Sequence, residues 1–192
     1  SVGINVVADA DWVDVKRKYN LPEEYLLYVG RIDKGKLNHI VQYFLHYKAR
    51  YANSKLKFVL VGGLFSAPVS HSDLIYTGFV SENEKYAIIR HAKIMVNPSK
   101  FESLSLILLE GMQLGKPMLV NGKCEVLKEH CSKSEKAALA YWNKNDFISK
   151  LASLETSSEL CREMGKKGKV YVETYYSWSV IMERLKKAIE SV

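Results

Sequence analysis

The segment YLLYV-GRIDKGK (residues 25–36) joins a continuous apolar run to a basic loop that contains two glycines. The run is short and lacks the apolar–polar alternation of a half-exposed strand, so it predicts a strand buried on both faces. In residues 37–50 the apolar positions fall on one helical face: Leu37, Ile40, Val41, Phe44 and Leu45. A buried strand, a glycine turn and a helix together form the repeating unit of a parallel α/β sheet.

The same kind of apolar run recurs along the chain. We predict further strands at residues 58–61, 74–76, 94–96 and 118–120, with helices at 82–91 and 105–114. After about residue 141 only helical patterns follow, at 145–154, 157–174 and 178–191. The sequence therefore predicts an α/β fold: a Rossmann-like open parallel sheet with helices on both faces and a helical C-terminal tail.

Composition limits the class of protein. The 192 residues are 47% hydrophobic and 26% charged, which favours a folded domain over a disordered chain. No run approaches the roughly 18 apolar residues that a membrane span needs. The three cysteines are an odd number, which argues against a disulfide scaffold and leads us to expect a cytoplasmic protein. The formal net charge of +7 suits phosphate groups, nucleic acid or an anionic membrane surface.

The loop after the first predicted strand has the character of a phosphate site. Gly30 allows close approach of the backbone, and the following helix offers unpaired N–H groups to an anion. Arg31 and Lys36 add full positive charges. A surface turn with solvated basic residues is the structural alternative.

The same loop also imitates a P-loop. Gly30-x4-Gly35-Lys36 matches seven positions of that motif, but Leu37 stands where the magnesium-binding Ser or Thr is needed. A GxGxxG dinucleotide fingerprint is absent from the sequence. A P-loop-like nucleotide hydrolase therefore stays as the weaker alternative.

The predicted helix 105–114 carries one ionisable residue, Glu110, among apolar neighbours. A buried carboxylate is costly unless it is paired, so hydroxyl groups or a cation should meet it. Two kinds of partner are possible for the Glu110 carboxylate: an Arg or Lys side chain of the protein, in a purely structural role, or the hydroxyl groups of a bound ligand. Ser105 is the predicted N-cap of this helix, and Glu102 lies just ahead of it.

These residues also carry a family resemblance. Glu102-x7-Glu110 and Gly115-Lys116-Pro117 resemble signatures of retaining family-4 glycosyltransferases, in a bacterial subgroup where the segment 121–128, NGKCEVLK, follows the proline. Gly30-Arg31 with Lys36, the segment 61–63 (VGG) and the segment 78–82 (GFVSE) resemble further landmarks, in the same order. The resemblance covers about residues 24–190.

The resemblance implies one half of a GT-B fold, the domain that binds a nucleoside diphosphate sugar. Residues 21–192 would form this donor domain, and residues 1–20 would lead in from a preceding acceptor domain. A sugar would be transferred to a hydroxyl acceptor with retention, in polysaccharide or lipopolysaccharide synthesis. The expected partners are the nucleotide sugar, the acceptor domain and an anionic membrane surface at the inner face, without nucleic acid. A non-catalytic nucleotide-sugar-binding module is a second alternative.

The resemblance also assigns roles by position. The expected catalytic residues are Arg31 and Lys36 at the diphosphate and Glu102 at the sugar hydroxyls. Glu110 would bind the ribose, and Phe79 and Val80 would border the base. The remaining donor-binding residues are Gly30, Gly63, Ser103, Leu104 and Ser105, the last three through backbone N–H groups. No cofactor and no metal are implied.

Two features depart from the family pattern. Gly35 precedes Lys36, whereas the family has Lys before Gly, so Lys34 is an alternative phosphate ligand. Ser103-Leu104-Ser105 stands where the family has Gly-Phe-Gly.

Other candidate sites are weaker. Asp9-Ala10-Asp11 matches a metal-binding Asp-x-Asp motif, but we predict that this segment is a solvated turn. Cys124, His130 and Cys131 are metal-ligand types without the fourth ligand of a structural zinc site.

Overall fold

The computed structural model describes residues 3–6 and 9–190, apart from the side chains of Lys36 and Asn38. Within these residues lies one six-stranded parallel sheet. Its strands are β1 (Tyr25–Val29), β2 (Lys57–Val61), β3 (Leu74–Gly78), β4 (Ile94–Asn97), β5 (Met118–Asn121) and β6 (Ala138–Tyr141). The helices are α1 (Trp12–Lys18), α2 (Lys34–Arg50), α3 (Glu82–His91), α4 (Leu106–Gln113), α5 (Glu125–Lys133), α6 (Lys144–Thr156), α7 (Ser158–Tyr176) and α8 (Trp178–Glu190).

The strand order β3-β2-β1-β4-β5-β6 makes this a doubly wound sheet. The chain builds outward from β1 to β3 and then returns to the other side of β1 with β4. The switch point thus lies between β1 and β4, where loops from both halves of the sheet diverge. Ligands of open α/β sheets bind outside the carboxyl ends of the strands at this point.

The core lies on both faces of the sheet. In β1, Tyr25 and Leu27 pack with α1, α3, α4, α5 and α7. Leu26 and Tyr28 point to the opposite face and pack with α2 and α6. All four side chains are at most 2% exposed, so the prediction of strands buried on both faces is confirmed.

The fold class predicted from sequence is confirmed, with three elements added. β6 and α5 were not predicted from the sequence. The β6 segment ALAY is only four residues long, and α5 has few apolar positions in its nine residues. α1 lies inside the predicted connecting segment 1–20, and the carboxylate of Asp11 caps it by accepting from Val13 N at 2.8 Å. Asp11 is therefore a helix cap rather than part of a solvated turn.

The first described residues pack against the junction of α7 and α8. Ile4 N donates to the Tyr176 carbonyl at 2.8 Å, and the Trp178 indole covers Gly3. Beyond this contact, α8 exposes an apolar stripe made of Trp178, Met182, Leu185 and Ile189. In the described part of the chain, every helix is too short or too polar to cross a bilayer.

Candidate functional site

Glycines at the ends of β1 and β2 bring two backbone segments into contact. Gly62 has φ +138°, and a Cβ atom at this position would lie 2.0 Å from the Gly30 carbonyl oxygen. A Cβ at Gly63 would lie 2.4 Å from the ring of Phe79. Residues without side chains are thus required where the strands end, which leaves the carboxyl edge of the sheet open to a ligand.

The β1–α2 loop presents Arg31 to solvent. Its side chain is 65% exposed, and Nε donates to Asp33 Oδ2 at 2.9 Å. The Tyr28 hydroxyl, from β1, anchors the loop by donating to the Arg31 carbonyl oxygen at 2.9 Å. Burial raises the pKa of Tyr28, and the nearby carboxylates of Asp33 and Glu102 raise it further. The charges of Arg31 and Glu102 therefore both act on the Tyr28 hydroxyl, near the switch point of the sheet.

The structure places the predicted lysines in the first turn of α2. This helix begins at Lys34 rather than at residue 37, so Lys34, Gly35 and Lys36 are all helical. The side chain of Lys36 lies outside the described residues, and the choice between Lys34 and Lys36 stays open. Leu37 is 3% exposed and belongs to the core. An apolar side chain thus fills the position where a P-loop places its magnesium-binding hydroxyl.

Asn97, at the end of β4, organises the loop ahead of α4. Its side-chain amide donates to Ser105 Oγ at 2.9 Å and to Glu102 Oε1 at 3.2 Å. Its carbonyl oxygen accepts from Ser99 N at 3.0 Å. One buried side chain therefore fixes both ends of the segment 99–105. The sequence carries a signal for this role, because Asn97 is a polar residue directly after a buried apolar run, where side chains that hold a neighbouring loop commonly lie.

The prediction that Ser105 caps α4 through its hydroxyl is wrong. Ser105 occupies the N-cap position, but it adopts a left-handed conformation (φ 64°, ψ 70°) and makes no side-chain cap bond. Its hydroxyl turns to Asn97 instead. In the described part of the chain, the backbone N–H groups of residues 103–105 donate to no protein acceptor. These three groups are available to an anion, as the predicted site requires.

His130 supports the same loop from α5. Its Nε2 lies 2.9 Å from the Leu104 carbonyl oxygen, and its Nδ1 lies 2.9 Å from the Tyr171 hydroxyl. A carbonyl can only accept, so Nε2 carries the proton and Nδ1 of the neutral ring accepts from Tyr171. Both ring nitrogens are therefore occupied, which argues against a metal at Cys124, His130 and Cys131. Sequence reasoning considered His130 only as a metal ligand and missed this contact.

Glu110 meets a cation, as its position in an apolar helix predicted. Lys85 Nζ lies 2.9 Å from Glu110 Oε1. The Tyr86 hydroxyl lies 3.2 Å from the same oxygen, but it donates its single proton to the nearer acceptor, Glu82 Oε1, at 2.8 Å. The Glu110 side chain is 13% exposed. The structural partner that the sequence left open is thus Lys85, on α3. Within the described residues the second carboxylate oxygen, Oε2, has no protein partner, and it can accept from a ligand hydroxyl.

Phe79 and Val80 follow β3 at the same edge of the sheet. Phe79 is 81% exposed, and its ring lies over Gly63. A large aromatic side chain in this position offers a flat apolar surface to a ligand ring. The structure thus brings together two groups of the predicted residues: Phe79 with Gly63, and Glu102 with Ser105 through Asn97.

A family model described as "Glycosyl transferases group 1" matches residues 13–171 of the chain. Sucrose-phosphate synthase from Thermosynechococcus elongatus shares the fold with a TM-score of 0.73 at 20% identity, covering 99% of this chain and 51% of that protein. The C-terminal domain of a group 1 family glycosyl transferase from Francisella tularensis gives 0.67 at 18% identity, covering 88% and 94%.

A TarM mutant from S. aureus, solved with Fondaparinux, alpha-GlcNAc-glycerol and UDP, gives 0.73 at 16% identity, covering 86% of this chain and 35% of that protein. At these identities the likeness concerns the fold. The chain spans about half the length of the sucrose-phosphate synthase that it matches.

Proposed function

The chain belongs to the group 1 glycosyl transferases, and we propose on this basis that it binds a nucleoside diphosphate sugar as the donor for transfer to an acceptor hydroxyl. The observation that carries the proposal is the convergence at the β1–β4 switch point. A guanidinium (Arg31) follows β1 directly, whereas a row of unpaired backbone N–H groups (residues 103–105) and a carboxylate (Glu110) follow β4, the neighbouring strand. Together they match a diphosphate flanked by two sets of sugar hydroxyls.

Each part of the donor has a proposed partner. Arg31 and Lys36 bind the diphosphate, with the N–H groups of residues 103–105 beside them. Glu110 accepts from the ribose hydroxyls, and Glu102 accepts from hydroxyls of the transferred sugar. Phe79 and Val80 border the base, and Gly30 and Gly63 leave room for the backbone to approach the ligand.

The proposed chemical task of this domain is to stabilise the leaving diphosphate. Negative charge builds up on the phosphate oxygens as the glycosidic bond breaks. Fixed positive charge and fixed N–H dipoles lower the free energy of that state without reorganisation, and loss of one such donor commonly costs a factor of about 10²–10³ in kcat. These groups supply the charge in the proposed reaction without a metal or other cofactor.

The proposal includes the finer features of the family resemblance. Transfer proceeds with retention, as in bacterial family-4 enzymes of polysaccharide or lipopolysaccharide synthesis. The acceptor and its activating group belong to a preceding domain, so this chain binds donor but barely turns it over. We place the reaction in the cytoplasm, where the exposed basic residues of α7 and α8 face anionic lipid.

The nucleotide can be identified by thermal unfolding of the chain with nucleoside mono-, di- and triphosphates and nucleotide sugars, with and without magnesium. A ligand at ten times its Kd adds about 1.4 kcal/mol of stability, which is readily measured. We expect one diphosphate family to stabilise the protein in EDTA, and Arg31→Ala and Glu110→Ala to abolish that effect. Glu129→Ala, on the surface of α5, is the matched charge control. Stabilisation only by triphosphates with magnesium would favour the hydrolase instead.

A further inference from the structure

A second cleft of about 350 Å³ opens at the carboxyl ends of β5 and β6, next to the proposed donor site. We call it the basic pocket and define it by Lys34, His39, Lys100, Lys123 and Trp142. Gly35, His39 and Lys100 also line the neighbouring cleft that contains Arg31. The basic pocket is therefore continuous with the donor side of the molecule but lies on the α2 face, away from Glu110 on α4.

The charged side chains that line the basic pocket are all positive. No carboxylate lines it, and none of its three lysines makes an ion pair within the described residues. Two acids near the lining residues in sequence are already paired, Asp33 with Arg31 at 2.9 Å and Asp146 with Lys150 at 2.8 Å. Burial lowers the pKa of His39, and the ammonium groups of Lys100 and Lys123 lower it further. These ammonium groups thus lie close enough to act on one imidazole, and all three lysines are exposed, so an anion from outside the protein can reach them.

Two aromatic residues complete the basic pocket. Tyr141 lines it and is 2% exposed, yet its hydroxyl has no hydrogen-bond partner. Buried hydroxyls in folded proteins are nearly always bonded, so the wall of the pocket includes a polar group that lacks its usual partner. Trp142 is 50% exposed, with its indole packed flat against Gly122. One ring face is held by the protein, and the ring remains accessible from the pocket side.

We propose that the basic pocket binds a phosphorylated carbohydrate, with the phosphate between Lys100 and Lys123 and the sugar ring against Trp142. Its position beside the donor cleft makes it a subsite for a phosphate-bearing acceptor. That last assignment rests on the proposed function, whereas the binding itself does not. The lysines supply charge-assisted hydrogen bonds, and the absence of any acid in the pocket disfavours cationic ligands.

Binding can be followed by tryptophan fluorescence of the chain, titrated with glucose 1-phosphate, glucose 6-phosphate, glucose and inorganic phosphate. The other two tryptophans lie elsewhere, Trp12 stacked on His91 and Trp178 against Gly3. We expect a hexose phosphate to change the emission in the wild type and not in Trp142→Phe. We expect the double variant Lys100→Ala/Lys123→Ala to raise its Kd by about tenfold or more. Lys166→Ala/Lys167→Ala on the exposed face of α7 is the control of equal charge.

The outcomes separate the two proposals. A hexose phosphate that still binds in saturating nucleoside diphosphate, and in Glu110→Ala, supports an independent subsite. Competition with the nucleotide, or equal loss of nucleotide affinity in the double variant, would assign these lysines to the donor site and overturn the subsite. Equal affinity for inorganic phosphate and hexose phosphate would overturn the carbohydrate part. No response to any hexose phosphate would overturn the whole inference, whatever the nucleotide result.

Discussion

His130 on α5 donates from Nε2 to the Leu104 carbonyl oxygen at 2.9 Å, across 26 positions of sequence. Behind it, the Tyr171 hydroxyl on α7 bonds Nδ1, and the Tyr176 hydroxyl lies 3.4 Å from that of Tyr171. Tyr176 in turn accepts through its carbonyl from Ile4 N. A chain of buried and partly buried polar contacts thus leads from the start of the described chain to the loop whose N–H groups are proposed to meet the diphosphate.

The first prediction concerns this chain of contacts. His130→Ala leaves the Leu104 carbonyl without its donor, which should cost about 1–3 kcal/mol of stability and loosen residues 103–105. We expect weaker nucleotide affinity as well as a lower midpoint in urea. His130→Gln, whose amide can still donate to the carbonyl, should recover part of both. Unchanged nucleotide affinity in a folded His130→Ala protein would contradict the positioning role.

The second prediction is the pH dependence of stability. Burial lowers the pKa of His130 in the folded chain, although the bond to Leu104 and the charge of Glu129 oppose this and Lys133 adds to it. Unfolded histidine titrates near pH 6.5, so below that value the unfolded chain binds more protons than the folded one. The free energy of unfolding should therefore fall as pH drops from about 6.5 toward the folded pKa.

His39 shifts in the same direction, so a comparison isolates His130. We expect the difference in unfolding free energy between wild type and His130→Gln to shrink as pH falls from 7 to 5. A difference that stays constant over this range would show that His130 is not buried as a neutral ring.

The third prediction separates backbone strain from steric clash. Gly62 and Gly78 both have positive φ, at +138° and +72°. A Cβ at Gly62 would lie 2.0 Å from the Gly30 carbonyl oxygen, whereas one at Gly78 meets nothing within 4 Å. Gly78→Ala should cost about 1 kcal/mol for the left-handed conformation alone. Gly62→Ala should cost clearly more or prevent folding, and equal chemical denaturation curves would contradict the close approach.

The fourth prediction concerns Phe79. Its side chain is 81% exposed, so Phe79→Ala should change stability by no more than about 0.5 kcal/mol. If the ring borders the base, the same variant should weaken nucleotide binding several-fold, since aromatic ring pairs contribute about 0.5–1.5 kcal/mol beyond burial. Val170→Ala, an exposed apolar change on α7, is the control. Equal nucleotide affinities of Phe79→Ala and the wild type would show that Phe79 does not contact the base.

The layout of strands and helices was predictable because burial on both faces leaves a direct pattern in sequence. Tyr25–Val29 and Phe58–Val61 are apolar without a break, and glycine follows each at the point where the chain must turn. The need of Glu110 for a cation was predictable for a similar reason: a carboxylate in an apolar helix must be paired. Its partner, Lys85, lies 25 positions away on another helix, which no local pattern can indicate.

The supporting contacts were not predictable. Ser105 has the residue type and position of an N-cap, yet Asn97 takes its hydroxyl and the backbone turns left-handed. Local preference was overridden there by a tertiary hydrogen bond. Likewise, His130 and Leu104 meet only because the fold places α4 and α5 on the same face of the sheet. The roles of the donor-site residues themselves stay predictions.

The most direct test of the central claim is calorimetric titration of the chain with the nucleoside diphosphate that stabilises it, in EDTA. The wild type should bind, Glu110→Ala should raise the Kd by about tenfold or more through loss of the ribose hydrogen bonds, and Glu129→Ala should match the wild type. Equal affinities for Glu110→Ala and the wild type would contradict the account, because Glu110 would then serve only as the structural partner of Lys85.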